Sequence, residues 1–404
     1  MVSMNVSNNR SRSKHFSPLV GPGSFGIGAV ALNLCANLQL LGHHSEVWTL
    51  DSVAGCNWAA DSIPLANSAI RRFPMLGPSF LGCSGHLYKA ARQRVGNEMT
   101  VFHQHGIWTM GSVASTLWRR SRNGPLVIAP HGALEPWSIR RSRWKKRIAK
   151  MLYEEGNLRE CACFHAVSEF EVASIKSLGY ASPIALMPNC VPSSWVSAPG
   201  DGVRFRLDHN LPPDSPLMFF LGRITPKKGL LLLIEALTHV RNYLKDWILV
   251  IGGPDEFGHE HEVRKMVSAH GLDRHVRFVG PLFGQCRLDA FAAVQVFVLP
   301  SYSEGSPLAL LEALGRGVPV ITTDQVWCPP VQAANSGWVS TTTPSSLGEI
   351  LSRVLVTPQD QLRSAGERGR AAIVRDYTWE HAANRCIQLY GWLTGDQLKP
   401  EFVV

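Results

Sequence analysis

Residues 296–324 read VFVLPSYSEGSPLALLEALGRGVPVITTD, and this stretch decides the fold of the second half of the chain. The apolar run at 296–299 leads into a polar turn, Pro307 precedes an apolar run with helical spacing, and the run at 320–323 is β-branched. Proline suits a first helical turn because an amide hydrogen there has no partner inside the helix. The pattern predicts a strand, a turn, a helix and a second parallel strand, which is the repeating unit of an α/β fold.

The turn and the start of this helix form a candidate anion site. Free backbone N–H groups at a helix start lie at the positive end of the helix dipole and bind phosphate. Glu304 in the turn and Glu312 inside the helix would flank a bound diphosphate, where carboxylates accept hydrogen bonds from sugar hydroxyls. The predicted diphosphate-binding segment comprises Gly305, Ser306, Pro307 and Leu308.

A second loop, in the stretch FFLGRITPKKG at 219–229, supplies positive charge. We expect a strand to end at Gly222, with Arg223 and Lys228 following at the same carboxyl edge of the sheet as Glu304, where ligands of open α/β sheets bind. Arginine contacts phosphate oxygens with two parallel N–H groups, and lysine adds a mobile point charge. The sequence has no D-x-D motif for a nucleotide-bound divalent ion and no C-x-x-C motif, so we expect no metal and no other cofactor.

Near the amino terminus, GPGSFGIG at 21–28 matches a dinucleotide-binding fingerprint through Gly21, Gly23 and Gly26, and Asp51 is the candidate ribose ligand. The preceding stretch SKHFSPLV is a weak strand because it has few apolar residues and a proline close to the first glycine. Asp51 also follows Gly26 at a longer spacing than the usual one of about 20 residues. We therefore disfavour an NAD enzyme, although NAD binding stays an alternative.

The length of 404 residues and the alternation of β-branched runs with helical stretches predict two doubly wound, Rossmann-like α/β domains with a cleft between them. Residues 1–14 are predicted to be a flexible tail, 15–195 the first domain and 203–380 the second. The Ser-, Pro- and Gly-rich stretch at 193–202 marks the boundary. Residues 381–404 are predicted to form a helix that packs back toward the first domain.

The net charge of +9 is concentrated in the basic segment, residues 119–150, which carries ten basic side chains and one acid together with Trp137 and Trp144. Such a segment is either a solvated helix face or a surface for anionic lipid headgroups. No nucleic-acid module accompanies it, so nucleic acid is not expected as a partner. With no secretory signal and no run of 18 apolar residues, we expect a cytoplasmic protein, peripheral on the inner face of the cell membrane if this segment binds lipid.

Several stretches in order resemble one known family. The segments GRITPKKG, VIGGPD, VRFVGPL, the stretch at 296–324 and RDYTWEHAANRCIQLY look like the carboxyl half of a GT-B retaining glycosyltransferase of family 4, the glycosyl transferases group 1. The first half is similar through LLGHHSEVWTLD, HQHGIW, APHGALEPW, AVSEFE and MPNCV. Within the family, HGIW with PHGALEPW most resembles enzymes of bacterial exopolysaccharide and lipopolysaccharide assembly.

The resemblance implies roles for the two domains and for the candidate residues. Residues 15–195 would bind the acceptor, and residues 203–380 would bind the nucleotide sugar. Arg223 and Lys228 would hold the donor diphosphate, Glu312 the ribose hydroxyls and Glu304 the transferred sugar. His131, after the strand LVIAP, matches the family histidine that faces the donor sugar, and a purely structural histidine is the alternative. The glycines of the first loop, Gly23 and Gly26 especially, would let the backbone approach the donor phosphates or the acceptor.

Two further segments of the first half bear on the site. Ser168 and Glu171 are predicted to form a capping box at a helix start, with an acceptor contact as the alternative. The chain departs from the family at PNCVP, where Cys190 replaces a glycine and Pro192 an acid.

The predicted activity is transfer of a sugar from a nucleoside diphosphate sugar, UDP or GDP, to a hydroxyl of a glycan or lipid-linked glycan. In a retaining reaction without a protein nucleophile, the acceptor attacks from the face that the diphosphate leaves. The alternatives are a non-hydrolysing nucleotide-sugar 2-epimerase, which needs no acceptor, and a non-catalytic nucleotide-sugar binding protein.

Overall fold

Buried apolar runs form the strands of two parallel sheets in a computed structural model that describes residues 12–20, 26–50, 69–78, 80–94, 99–121 and 123–404. The first sheet has the order β3-β2-β1-β4-β5-β6-β7 and the second β10-β9-β8-β11-β12-β13. Both orders reverse beside their first strand, which is the doubly wound arrangement that the sequence predicts. The strands are β1 (Arg12–Ser17), β2 (Ser45–Leu50), β3 (Ile70–Phe73), β4 (Thr100–His105), β5 (Leu126–Ala129), β6 (Cys163–Ala166), β7 (Ile184–Leu186), β8 (Leu217–Leu221), β9 (Ile248–Gly252), β10 (Val276–Gly280), β11 (Val296–Leu299), β12 (Val320–Thr323) and β13 (Gly337–Ser340).

Helices connect the parallel strands. The first helix runs from Ile27 to Leu40 and ends before Gly42, whose φ is +75°. The helices of the chain are α1 (Ile27–Leu40), α2 (Gly85–Arg92), α3 (Gly111–Arg120), α4 (Pro136–Arg140), α5 (Arg143–Ala149), α6 (Glu155–Arg159), α7 (Glu169–Ser177), α8 (Ser193–Ser197), α9 (Gly202–Asp208), α10 (Leu230–His239), α11 (Arg241–Leu244), α12 (His259–Ala269), α13 (Gly284–Ala293), α14 (Leu308–Gly315), α15 (Pro329–Ala333), α16 (Pro344–Leu355), α17 (Gln359–Asp376) and α18 (Trp379–Thr394). None of them, within the described ranges, is long and apolar enough to cross a bilayer.

The chain divides into two units. The first comprises Met1–Pro188 with Trp379–Val404, and the second comprises Asn189–Thr378. The change of unit at Pro188 precedes the predicted boundary stretch, because residues 193–202 contain helix α8, which packs on α14 and α17. The chain returns to the first unit with α18, which packs on α1.

Strand β1 begins at Arg12, so residues 12–14 belong to the first sheet and not to the predicted tail. It pairs in parallel with both β2 and β4 and is therefore central. The side chains of Ser13, His15 and Ser17 are buried, and the hydroxyl of Ser13 donates to that of Ser45 at 3.0 Å. Polar contacts of this kind stabilise a strand whose sequence lacks an apolar pattern.

Two edge strands were also not predicted from the sequence. Strand β3 has the sequence IRRF, with two exposed arginines between buried ends, and β13 contains a glycine and a tryptophan. The last residues of the chain lie beside the other edge of the first sheet. There Ile184 and Val404 exchange two backbone hydrogen bonds, of 3.0 and 2.9 Å, after the final helix has ended at Thr394.

Candidate active site

Two loops meet at the carboxyl edge of the second sheet. They follow β8 and β11, the neighbouring strands at which the strand order reverses. Gly229 has a φ of +71° and lies so close to the chain after β11 that a Cβ there would stand 2.0 Å from the carbonyl oxygen of Pro300. The N–H of Tyr302 donates to the carbonyl of Lys227 at 2.9 Å. The backbone contacts bring together the side chains that the two loops carry.

Lys228 and Glu304, predicted as separate ligands of the donor, form an ion pair. The Nζ of Lys228 lies 2.9 Å from the Oε1 of Glu304, and the Nζ of Lys227 lies 4.0 Å from the same oxygen. Burial alone would raise the pKa of Glu304, but the charges of Lys228 and Lys227 outweigh it and hold that pKa below its ordinary value. The carboxylate is therefore ionised at neutral pH and its oxygens accept hydrogen bonds.

The turn that carries Glu304 is fixed through its backbone. The N–H of Glu304 donates to the carbonyl of Gln325 at 3.0 Å, and its carbonyl accepts from the N–H of Trp327 at 2.9 Å. The turn thereby bridges to the segment after β12. The backbone of Glu304 is therefore held by a second loop, the one that follows β12.

Arg223 lies in the same loop as Lys228 and is oriented by an acid that the sequence analysis missed. Its guanidinium contacts both carboxylate oxygens of Glu256, at 2.8 and 2.9 Å. The N–H of Glu256 in turn donates to the carbonyl of Ile224 at 3.1 Å. Glu256 follows the motif VIGGPD, and this position just after a strand was the available sequence signal.

Gly222 follows β8, which ends at Leu221, and lies beside Lys228. An added Cβ at Gly222 would lie 3.6 Å from the Cε of Lys228, so a larger side chain would press on the lysine. Gly253, with a φ of +136°, packs against the carbonyl of Gly222, where an added Cβ would stand 1.9 Å away. The two glycines allow the ends of β8 and β9 to approach closely.

The start of α14 is tied to the loop PNCVP. Pro307 is the N-cap of this helix and Leu308 its first residue. The backbone N–H of Asn189 donates to the hydroxyl of Ser306 at 3.1 Å, and the side-chain amide of Asn189 donates to the carbonyl of Ser306 at 2.7 Å. Cys190, where the family has glycine, is buried. Asn189 is thus a positioning residue for the predicted anion site.

Glu312 forms an ion pair of its own. Its carboxylate contacts the guanidinium of Arg287, and the side chain of Glu312 is 12% exposed. Arg287 lies 5.4 Å from the ring centre of Trp195, whose indole N–H donates to the carbonyl of Glu312 at 3.1 Å. Neither Arg287 nor Trp195 was predicted as a site residue, because both are remote from Glu312 along the chain.

In the first unit, His131 follows β5 and is partly exposed. Its φ of +54° lies in the left-handed region, and Gly132 follows with a φ of +77°. The N–H of Gly132 donates to the carboxylate of Glu171 at 2.6 Å. Burial raises the pKa of Glu171 to about 7. The loop that carries His131 is therefore held by the start of α7.

The capping interaction predicted at α7 is confirmed in its first half. The hydroxyl of Ser168 accepts from the N–H of Glu171 at 3.1 Å. The carboxylate of Glu171 does not close the capping box on Ser168 and instead accepts from Val167 at 2.9 Å and from Gly132. Ser168 is fully buried, which supports the capping role over the acceptor contact.

Most of the glycine-rich loop lies outside the described residues, as do Gly21, Gly23 and Asp51. Gly26 is described and is the N-cap of α1. Its φ of +105° is a conformation that side chains other than glycine rarely adopt.

Two family models match the chain. Residues 25–190 match the glycosyl transferase 4-like domain, and residues 204–372 match the glycosyl transferases group 1. The chain is also 25% identical over 410 residues to the D-inositol 3-phosphate glycosyltransferase of Nocardioides sp., an alignment that covers 94% of this chain and 88% of that protein.

Solved structures show the same architecture. Sucrose-phosphate synthase from Thermosynechococcus elongatus superposes with a TM-score of 0.74 at 20% identity. The alignment covers 96% of this chain and 100% of that one. The Anabaena protein HepE, solved in complex with UDP and glucose, gives a TM-score of 0.74 at 16% identity, covering 95% of this chain and 100% of that one. The two Rossmann-like units are therefore those of a GT-B glycosyltransferase. The chain is a glycosyltransferase that combines a glycosyl transferase 4-like domain at residues 25–190 with a glycosyl transferases group 1 domain at residues 204–372.

Proposed function

We propose that this glycosyltransferase moves a sugar from a nucleoside diphosphate sugar to a hydroxyl of a glycan or lipid-linked glycan, with retention of configuration. The observation that carries the proposal is the ion pair of Lys228 and Glu304 at the reversal of the strand order, beside the start of α14. The Anabaena neighbour was solved with UDP and glucose, which supports a nucleoside diphosphate sugar as the donor.

The positively charged groups of the site suit the negative charge that develops in such a reaction. As the bond between the sugar and the diphosphate lengthens, negative charge grows on the phosphate oxygens, and cations with free helix amides stabilise it. Lys228 has N–H donors beyond the one directed at Glu304, and Arg223 is preoriented by Glu256. No metal is required for this stabilisation.

Glu304 is suited to the sugar because it is ionised and accepts hydrogen bonds from hydroxyl groups. In the proposed mechanism the acceptor hydroxyl attacks the anomeric carbon from the face that the diphosphate leaves. A departing phosphate oxygen takes the proton of the acceptor, and no protein side chain forms a covalent bond.

The donor is tested by thermal unfolding of the purified protein with UDP, GDP, their common sugar conjugates and NAD(H), each with and without EDTA. A ligand at about 100 times its dissociation constant stabilises the fold by roughly 2.7 kcal/mol. We expect a shift of Tm with one nucleoside diphosphate family that EDTA does not alter. A shift with NAD(H) alone would contradict the proposal.

Retention and transfer are tested by NMR of the product. With the donor so identified and a range of glycan acceptors, we expect the anomeric coupling constant of the product to match that of the donor. Incubation of the donor without acceptor is the control, because an epimerase would alter the sugar there.

We further propose that the basic segment holds the enzyme on an anionic membrane surface close to a lipid-linked acceptor. Trp137 and Trp144 are 42% and 65% exposed, and Met151 and Leu152 beyond them are 76% and 69% exposed. The Nζ of Lys145 lies 5.5 Å from the ring centre of Trp144. Exposed aromatic and aliphatic side chains among cations are typical of surfaces that lie at a lipid interface, and a solvated helix face does not need them.

The membrane proposal is tested by sedimentation with liposomes. We expect the variant Arg140→Gln, Arg143→Gln, Lys145→Gln to bind vesicles with anionic lipid at least about tenfold more weakly, since each cation near such a surface contributes about 1 kcal/mol. Lys146 is kept because its ammonium donates to the carbonyl of Ser138. The matched control carries Lys265→Gln, Arg353→Gln and Arg363→Gln, which remove equal charge from exposed positions of the second unit. Equal binding by the two variants would refute a role of this segment.

A further inference from the structure

We propose that Tyr390 and four buried histidines form a hydrogen-bond chain of fixed direction that holds His131 as a neutral imidazole with its proton on Nε2. The proposal rests on the proposed function for the role of His131 at the sugar, but the chain itself is a property of the first unit. Its members are His165, His103, Tyr390, His15, His105 and His131, and it begins at the carbonyl of Met187.

The carbonyl of Met187 sets the direction of the chain. The Nε2 of His165 lies 2.8 Å from this oxygen, which only accepts hydrogen bonds, so the Nε2 carries a proton. In a neutral imidazole the other nitrogen is then an acceptor. The Nδ1 of His165 lies 3.1 Å from the Nε2 of His103 and accepts its proton. His103 therefore also has its proton on Nε2.

Tyr390 continues the same order of donors and acceptors into the second half of the hydrogen-bond chain. Its hydroxyl lies 2.7 Å from the Nδ1 of His103, which is unprotonated, so the hydroxyl donates there. The oxygen of Tyr390 is then free to accept from the Nε2 of His15 at 3.3 Å. The thiol of Cys386 also contacts this hydroxyl, and a thiol is a weak donor that is compatible with an accepting oxygen.

The second half ends at His131. The Nδ1 of His15 accepts from the Nε2 of His105 at 3.0 Å, and the Nδ1 of His105 accepts from the Nε2 of His131 at 3.1 Å. The proton of His131 is thus on Nε2, and its Nδ1 is the nitrogen outside the chain. An unprotonated Nδ1 accepts a hydrogen bond and would suit a sugar hydroxyl.

Burial keeps the rings neutral. His15, His103 and His105 are each fully buried, and His165 is 3% exposed, whereas His131 is partly exposed. Desolvation lowers the pKa of His131 and of His15 to about 3, with the neighbouring rings adding to the effect. A cation at any point would also break the one-way order, because a protonated imidazole has no acceptor.

Three of the same rings also have the spacing of possible metal ligands. The candidate ligand nitrogens of His15, His103 and His105 lie within 4.8 Å of one another. Neighbouring rings or Tyr390 already use the nitrogens of these histidines, so the hydrogen-bond chain describes the geometry better than a metal centre.

Tyr390 is accordingly a positioning residue that acts on His131 from the last helix. Without its hydroxyl, His103 loses a donor. The Nε2 of His15 then keeps, among the described residues, only the hydroxyl of Ser13 at 3.5 Å. Within the described ranges, no hydrogen bond then connects His15, His105 and His131 to the carbonyl of Met187. We expect the proton of His131 to distribute between its two nitrogens.

The experiment is two-dimensional NMR of protein labelled with ¹⁵N in histidine at about pH 7.5, where the two ring nitrogens report the tautomer. His131→Asn identifies the signals of His131. In the wild-type protein we expect a neutral ring with the proton on Nε2, and in Tyr390→Phe a mixed tautomer. In transfer assays we expect Tyr390→Phe to lower kcat several-fold with little change in the donor KM.

The matched control is Tyr180→Phe, which removes another buried hydroxyl of the same unit, one bonded to Glu155 at 3.2 Å. It should leave the His131 signals and the kinetics unchanged. The proposal is overturned by a His131 that is cationic or protonated on Nδ1 in the wild-type protein, by identical His131 signals in Tyr390→Phe, or by a stoichiometric metal that shifts the histidine signals on removal. These outcomes do not depend on activity, so failure to find sugar transfer would affect the proposed function alone.

Discussion

At the scale of single residues, the candidate site consists of charged side chains that are already paired. Lys228 contacts Glu304, Arg223 contacts Glu256 and Glu312 contacts Arg287. Pairing of this kind fixes a side chain before substrate binds, so less rotational freedom is lost on binding. It also means that a substitution removes a ligand and leaves a charged partner behind.

Replacing Lys228 with alanine is the most direct test of the site. We expect kcat/KM to fall by at least about a hundredfold, because one preorganised donor to a developing charge is typically worth that much. Glu304 would keep Lys227 at 4.0 Å, so the fold should survive. The measurement is steady-state transfer with circular dichroism of the variant. Lys265→Ala, at an exposed position, is the control. A Lys228→Ala enzyme with near wild-type kcat/KM would invalidate the assignment.

Replacing Arg223 with lysine keeps the charge and removes the planar fork. Both contacts to Glu256 use the same guanidinium nitrogen, at 2.8 and 2.9 Å, and an ammonium cannot reproduce the rigid orientation. We expect kcat/KM to fall about tenfold or more, measured in the same assay. Arg159→Lys, in an exposed pair with Glu155, should have no effect. Equal activity of the two variants would mean that only the charge of Arg223 matters.

At the scale of elements, the anion site depends on how α14 is joined to the segment before α8. Asn189 makes two hydrogen bonds to Ser306, which immediately precedes the N-cap of α14. The hydrogen bond from the backbone N–H of Asn189 does not require its side chain, but the hydrogen bond from its side-chain amide does.

Asn189→Ala should therefore remove one hydrogen bond to a residue that is 8% exposed, at a cost of roughly 1 kcal/mol in the free energy of unfolding. We expect the KM for the donor to rise, since the helix start would no longer be held in place for the phosphates. Urea unfolding and donor titration measure the two effects. Asn33→Ala, which removes a local bond to Ala29 in α1, is the control. An unchanged donor KM would argue against a role of Asn189 in the site.

At the scale of the whole molecule, the buried histidines make stability depend on pH. Burial lowers the pKa of His15 and His131 to about 3 and that of His43 and His165 to about 4. In the unfolded chain these rings titrate near 6.5. Between these values the unfolded state binds more protons, so the free energy of unfolding falls as pH falls below about 6.5.

Two carboxyl groups oppose this trend. Burial raises the pKa of Glu171 to about 7 and that of Glu154 above its ordinary value, so over the intervening range the folded state binds more protons than the unfolded state at these groups. The histidines outnumber them, since His103 and His105 have pKa values that are lowered further still. We expect Tm to decrease steadily from about pH 7 to about pH 5.

Calorimetric scans across this range check the expected slope. His43→Gln should make it shallower, because one buried histidine is lost, whereas His270→Gln at an exposed position should leave it unchanged. A Tm that stays constant or rises on acidification would contradict the assignment of neutral, buried rings.

Much of the second unit was predictable because its signals are local. The strands at 217–221 and 296–299, the turn with Glu304 and the helix start beside Pro307 follow one another within short stretches. Strand β1 was predicted only as a weak strand, because the contacts that stabilise it are not local in the sequence. Its buried serines and histidine carry no apolar pattern, and their partners come from other strands.

The two doubly wound units, the loops at the carboxyl edge of the second sheet and their family resemblance could be predicted from the sequence, because strand, turn and helix signals lie within a few residues of one another. The partners of those loops and the connections among the histidines became visible only in the folded chain. Tyr390 and His15 meet although 375 positions separate them along the chain. Contacts of this kind arise when strands and the last helix pack together. Polar side chains that are so far apart along the chain form no periodic pattern in the sequence.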